Sequence, residues 1–401
     1  MLADTDVLVV GGGQAGLAVS HALTGLGLDH VVLERDRAGA SWFLRWDSFT
    51  LVTPNHTIRL PGGEYDGDDP DGYLPREQVI SHLRRYAASF GAPVIEHAPV
   101  VALRGGEGAF VADTPAGIVR ARRVVACTGS FQLERRPAIV EELARRVPIV
   151  GATSYRSPES VPAGTTLVIG GGQTAAQITD ELLRAGREVV LSAGRAPAMP
   201  RRVGGRDGVD WLIDAGFFEQ TTADLPTPAA RLAANPLVTG QGGGHDLNLR
   251  TLAAAGARLM GRIRGVDGDR LVVAGDLGEA VASGDEGWHV VCGLIAETAR
   301  RLGMPEPELP EMPRASIPVT PAPGVGELGA VVVACGFRPD YRWIGMPDVV
   351  DDLGFPRQLD GASTVVPGLY FVGVPWLRTR KSPLLLGVGE DADVVAAQLA
   401  A

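Results

Sequence analysis

Two stretches of this 401-residue chain have the residue types and spacing to hold a phosphorylated ligand. The first runs Val7-Leu8-Val9-Val10-Gly11-Gly12-Gly13-Gln14-Ala15-Gly16-Leu17-Ala18. It reads as a buried strand, a tight turn and a helix. Gly11 makes the turn, Gly13 lets backbone approach a pyrophosphate, and Gly16 lets the helix pack closely on the strand. The helix start then offers free N–H groups and a favourable dipole. A second apolar strand, His30 to Leu33, ends in Glu34, about 20 residues on, where a ribose hydroxyl needs an acceptor. The other stretch, Thr166-Leu167-Val168-Ile169-Gly170-Gly171-Gly172-Gln173-Thr174-Ala175, repeats the pattern with Ala175 in the third glycine's place, which that position tolerates. Here the following strand, Glu188 to Ser192, ends in a hydroxyl, with Arg195, Arg201 and Arg202 close behind. Guanidinium groups in place of an acid suit a 2′-phosphate, so the second site is expected to take NADP(H); a solvated basic loop is the alternative.

Two such folds in one polypeptide imply two cofactors, and the natural pair is a flavin and a nicotinamide. The expected architecture is α/β, with two Rossmann-like dinucleotide-binding domains. The first spans residues 1–158 and 324–401, and the second, at 159–323, is inserted into it. Between them the stretch Trp42 to Asn55 interleaves aromatic residues with Arg45 and small polar groups, which suits a flat conjugated ring with polar edges. A glycine- and aspartate-rich loop from Leu60 to Tyr73 precedes an amphipathic helix from Pro75 to Phe90. Strand-like alternation over 94–126 ends in Ala126-Cys127-Thr128-Gly129, which can set small groups and backbone donors beside a cofactor. Residues 204–250 read as irregular, with His245 and Asp246 as a helix cap. Ala330 to Tyr341 echoes the strand at Cys127 and reads as the return to the first domain. A last turn and helix, Leu385 to Ala392, can direct its positive end at an electron-rich ring edge.

Composition narrows the function. A formal charge of −10 and a pI near 5.3 argue against a sequence-independent nucleic-acid binder. The first strand begins by residue 7 without a basic leader, and no apolar run is long enough for a membrane span. A cytoplasmic protein is expected, with no membrane or nucleic-acid partner. The oligomeric state is open, a homodimer included. Cys127, Cys292 and Cys335 are isolated from one another, which suggests neither a disulfide framework nor a metal site and disfavours a disulfide reductase with its paired redox cysteines. Almost every cationic side chain is Arg, Lys381 being the evident exception.

Taken together these motifs resemble the two-dinucleotide-binding flavoproteins, and among them the flavin-containing monooxygenase-like group, the class B flavin monooxygenases. The similarity rests on the first glycine motif with Glu34, Gly39 to Trp42, Ala126 to Gly129, Gly170 to Ala175, Ala334-Cys335-Gly336-Phe337-Arg338-Pro339-Asp340, and Gly387 to Ala392. It implies FAD on Gly11, Gly13, Gln14, Ala15, Gly16, Glu34, Trp42, Arg45, Val100, Thr128, Gly129 and Asp391. It implies NADP(H) on Gly170, Gly172, Gln173, Thr174, Ser192, Arg195, Arg201 and Arg202. The implied activity is NADPH-dependent oxygenation of a small organic substrate by molecular oxygen through a C4a-hydroperoxyflavin, at nitrogen, sulfur or carbon. Asn55 is the candidate catalytic side chain over the ring; a cap of the Pro54 turn is its other reading. Members carry a Phe-x-Gly-x-x-x-His signature before the second fold. Here Ile149-Val150-Gly151-Ala152-Thr153-Ser154-Tyr155 keeps the glycine and lacks the histidine. An oxidase or reductase of the same fold, without oxygen insertion, is the alternative.

Overall fold

The strand Ala3–Val10 lies between two parallel neighbours in the computed structural model, which describes residues 3–106, 108–318 and 320–401. Val10 is opposite Leu33 of the strand His30–Leu33 and opposite Ala126 of the strand Gly117–Ala126. All three chains therefore leave the sheet at one edge, where Gly11, Glu34 and Cys127 follow. That edge is where open parallel sheets bind ligands. The strands Val94–Ile95 and Leu369–Phe371 extend the parallel run on either side, and antiparallel ribbons complete nine strands. The helix Gln14–Gly25 packs against the C-terminal helix Val388–Ala400 through Leu17, Leu23, Val395 and Leu399, each fully buried.

A second, five-stranded sheet is parallel throughout. Its strand Thr165–Ile169 sits between Val189–Ser192 and Leu328–Val333, with Ile169 opposite Ser192 and Val333. The helix Gln173–Arg184 follows it as Gln14–Gly25 follows the first strand. This corrects the expectation for residues 330–341. Leu328–Val333 is an apolar run buried on both faces, as an inner parallel strand must be. It pairs within the second sheet, as does Ile149–Gly151, and both lie outside the expected 159–323. The echo between Ala126-Cys127 and Ala334-Cys335 is a repeat of the fold: each is the strand end next to a glycine loop. The chain crosses between the sheets twice, and the two crossings pair as an antiparallel ribbon, Phe337 with Glu134 and Arg338 with Leu133.

The expected helix at 75–90 is Arg76–Ser89, and the segment at 279–302 forms the long helix Leu277–Arg301. Among the described residues, no helix is long and apolar enough to cross a membrane.

Candidate functional site

The first glycine loop combines two tight positions with one open one. A Cβ on Gly11, whose φ is +109°, would lie 2.6 Å from the Cys127 carbonyl oxygen, and one on Gly16 would collide with the Gly11 carbonyl. At Gly13 the nearest atom would be Ser41 Oγ at 3.6 Å. Backbone is thus packed to contact at the turn and the helix, and space remains at Gly13. No side chain caps the helix behind it and no acid occupies its first turn, so its N–H groups and positive dipole end are left for an anion. Glu34 reaches back to this loop. Its carboxylate accepts from the Gly12 N–H at 2.6 Å and from the Asp36 N–H at 2.9 Å. Ala15 is buried, and Gln14 donates to the Pro383 carbonyl at 2.7 Å, tying the loop to the segment before the last helix.

Two buried polar atoms have no hydrogen-bond partner among the described residues: Thr128 Oγ1, next to the Cys127 carbonyl that Gly11 meets, and Asp391 Oδ2, in the first turn of the helix Val388–Ala400. Burial pushes the Asp391 carboxyl above the usual aspartate range, against the Ser382 hydroxyl and Arg378, which stabilise its charge. A ligand hydroxyl would satisfy either atom, since an unpaired buried acceptor is costly. Gly129 follows Thr128 in the left-handed region with open space around it. Val100 is partly buried against the outer side of the same sheet, beyond the end of Val94–Ile95. Trp42 packs on the cores of both folds, and Phe49 lies 6.0 Å from it. The Arg45 guanidinium sits 4.4 Å from the Phe131 ring centre and 5.7 Å from that of Phe49.

Asn55, expected over the ring, is held by protein partners at both ends of its amide. It is 1% exposed; its Nδ2 donates to the Asp69 carbonyl at 2.8 Å and its Oδ1 accepts from the Leu74 N–H at 2.6 Å. Both ends of the amide tie Asn55 to residues 69 and 74, and the turn after Pro54 has no side-chain cap, so its reading as a cap of that turn is not what the structure gives.

The second cradle repeats the first. A Cβ on Gly170 would collide with the Ala334 carbonyl oxygen, whereas nothing lies within 4 Å of the same position on Gly172. The helix behind Gly172 again lacks a side-chain cap and an acid in its first turn. Thr174 is partly exposed at that helix start, and Gln173 clasps the Val238 backbone through its Oε1 and its Nε2. The basic cluster expected here is not gathered. Ser192 is buried and donates to the Gly261 carbonyl at 3.1 Å. Arg195, well exposed, pairs with Glu279. Arg202 is exposed near the Gly243 carbonyl, at 3.3 Å. Arg201 must be reassigned: it is 2% exposed, pairs with Asp207 at 2.5 Å, donates to the Tyr73 hydroxyl at 3.0 Å and the Val52 carbonyl at 2.8 Å, and stacks on the Tyr73 ring. A buried guanidinium with its donors spent on one domain's interface is not a phosphate ligand.

Residues 8–202 match the pyridine nucleotide-disulphide oxidoreductase family. An uncharacterized oxidoreductase CzcO-like of Geobacillus kaustophilus is 29% identical over 390 residues, covering 97% of this chain and 96% of the relative. The flavin-containing monooxygenase of Stenotrophomonas maltophilia superposes with a TM-score of 0.68 at 19% identity, over 99% of this chain and 98% of that one. OTEMO, solved with FAD and NADP, superposes at 0.58 and 14% identity, over 98% and 84%. The chain is a two-dinucleotide-fold oxidoreductase.

This oxidoreductase also uses residues that the sequence did not single out. Residues 201–246 lie within the second fold yet bond to the first domain: Asp210 to His56 at 2.8 Å, Asp207 to Tyr73 at 2.5 Å, Arg231 to Asp351 at 2.7 Å, Asn235 to Arg380 at 2.7 Å, and Glu219 to Lys381 at 2.6 Å. Glu181, on the second glycine helix, accepts from Ser48 at 2.5 Å and from Tyr155 at 2.8 Å. Tyr155, at the histidine's place when the signature is aligned on Gly151, is fully buried. No local pattern marks these pairs, because each joins residues distant in sequence.

Proposed function

We propose that this oxidoreductase is an NADPH-dependent FAD monooxygenase acting on a small organic substrate. The observation that carries the reading is the pair of uncapped helix N-termini, each behind an open glycine, Gly13 and Gly172, at the ligand-binding edges of two parallel sheets. Gly13 with the helix at Gln14, the Glu34 carboxylate, Thr128 Oγ1 and Asp391 Oδ2 would hold FAD; Gly172 with the helix at Gln173 would hold NADP(H). Bound together, these groups would supply hydride transfer and reaction with oxygen. The chain's own work is to bind, align and keep water out. Trp42, packed on both cores, and the Ser48–Glu181–Tyr155 contacts fix the ring-side loop against the nicotinamide-side helix. The arm 201–246 closes over the first domain and excludes water, which oxygen chemistry needs.

The three cysteines are free, and burial pushes the Cys127 thiol far up and that of Cys335 up to about 11, which supports oxygen rather than disulfide chemistry. The buried Tyr155 supports the second reading, a flavin oxidase or reductase of the same fold, because no imidazole stands at the signature position. Steady-state NADPH consumption, with peroxide and oxygenated product quantified separately over amines, sulfides, ketones and indoles, decides between them. Product formed in step with NADPH supports the monooxygenase; peroxide alone, in step with NADPH, supports the oxidase.

A further inference from the structure

Arg45 lies on the ring-side loop, with its guanidinium stacked on Phe131, two residues past Gly129 at the end of the Gly117–Ala126 strand. Phe131 in turn meets Phe337 edge-on at 5.3 Å, across the two crossings between the sheets. Arg45 is partly buried, and desolvation alone pulls its guanidinium down to about 10. Among the described residues no carboxylate lies within 4 Å of it, and its side chain donates no hydrogen bond; the neighbouring Arg76 and Arg156 are turned toward its backbone carbonyl. Arg76 has Asp47 and Glu77, and Arg201 has Asp207. Arg45 is a cation set among aromatic rings with its fork of donors unspent. Desolvating a guanidinium without an anion is costly, and its geometry is matched to a carboxylate.

We propose that Arg45 is the receptor for the carboxylate of the substrate, so that the oxidoreductase acts on organic acids whose apolar body lies along Phe49 and Phe131. This rests on the flavin reading of the cleft, which supplies the reaction, and adds the substrate class. The resemblance implied FAD for Arg45, but each dinucleotide already has a helix N-terminus for its phosphates, and Arg45 touches neither glycine loop in any hydrogen bond. In a chain of net charge −10, a partly buried cation without a carboxylate partner among the described residues can draw an anion toward it.

The test titrates the purified holoenzyme with benzoate and with the neutral isostere benzamide, following the flavin absorbance. Wild type should bind benzoate and discriminate against benzamide. Arg45→Gln should weaken benzoate about tenfold or more, leave benzamide and FAD content unchanged, and be partly rescued by Arg45→Lys. Equal binding of benzoate and benzamide to wild type overturns the proposal, as does benzoate binding unchanged in Arg45→Gln. A variant that instead loses FAD or NADPH affinity while keeping benzoate assigns Arg45 to a phosphate and also overturns it. A wild-type protein without flavin fails the flavin reading only; benzoate binding is then read from the fluorescence of Trp42 and Trp46 on the same loop, with the same variants and outcomes.

Discussion

Gly16 is pressed on Gly11 so closely that a Cβ on the one would collide with the carbonyl oxygen of the other, while Gly13 between them is open. The two glycines are needed by the fold and the third by the ligand. Gly16→Ala should overpack the strand–helix contact and cost about 1–3 kcal/mol, lowering the Tm of the apoprotein. Gly13→Val, whose backbone is extended and whose Cβ has room, should leave that Tm near wild type and abolish copurifying flavin absorbance. Full flavin occupancy in Gly13→Val would remove the first cradle as the FAD site.

Arg195 and Arg201 stand a few residues apart and should behave as opposites. Arg195 is exposed and can exchange Glu279 for a phosphate, so Arg195→Ala should cut the NADPH over NADH preference in kcat/KM by about tenfold, the scale of one charge-assisted contact. Arg201→Met strands the buried Asp207 carboxylate, a loss on the order of 3–5 kcal/mol, and should lower Tm without changing the cofactor preference of the remaining folded enzyme. A selective loss of NADPH use in Arg201→Met would return it to the phosphate site.

Asn55→Ala should be a stability variant. The buried Leu74 N–H loses its acceptor, at about 1–3 kcal/mol, and denaturant unfolding should show it. Reoxidation of the reduced flavin, followed by stopped flow well below the Tm, should match wild type. A changed reoxidation course with unchanged stability would place the amide at the ring.

What the sequence made legible was local. Strand, glycine turn and helix are consecutive, so both cradles and their repeat could be placed from spacing, and an acid ending one strand against a hydroxyl ending the other was visible in the same way. The strand Leu328–Val333 was recognisable as a strand but not as a member of the second sheet, because sheet order depends on which edge a run of valines reaches, and apolar runs do not carry that address. Arg201 followed a phosphate-like pattern in sequence, yet Tyr73 and Asp207 take it up from other segments. Arg45 was legible as a cation among aromatics; that it has no acid partner among the described residues is a property of the folded chain alone.

Glu181 joins the helix Gln173–Arg184 to Ser48 in the Trp42–Asn55 stretch, and its titration should report on that joint. Burial, the largest influence, pushes its carboxyl above the ordinary value of 4.5, and the hydrogen bonds from Ser48 and Tyr155 only partly oppose it. The folded protein therefore holds this proton more tightly than the unfolded chain does. Between the unfolded and the raised folded value the native state binds more protons, so stability from this site falls as pH rises through that window. Glu181→Gln keeps an acceptor for Ser48 and removes the titration. The Tm of Glu181→Gln relative to wild type should accordingly climb as pH rises from the ordinary carboxylate value through the raised folded one, and then level off. Tyr155→Phe removes a donor that favours the charged carboxylate, and should shift the wild-type window to higher pH. Parallel Tm curves for wild type and Glu181→Gln across that range would mean that the carboxylate is not held in the buried joint, and the contact between the two folds would rest on the 201–246 arm instead.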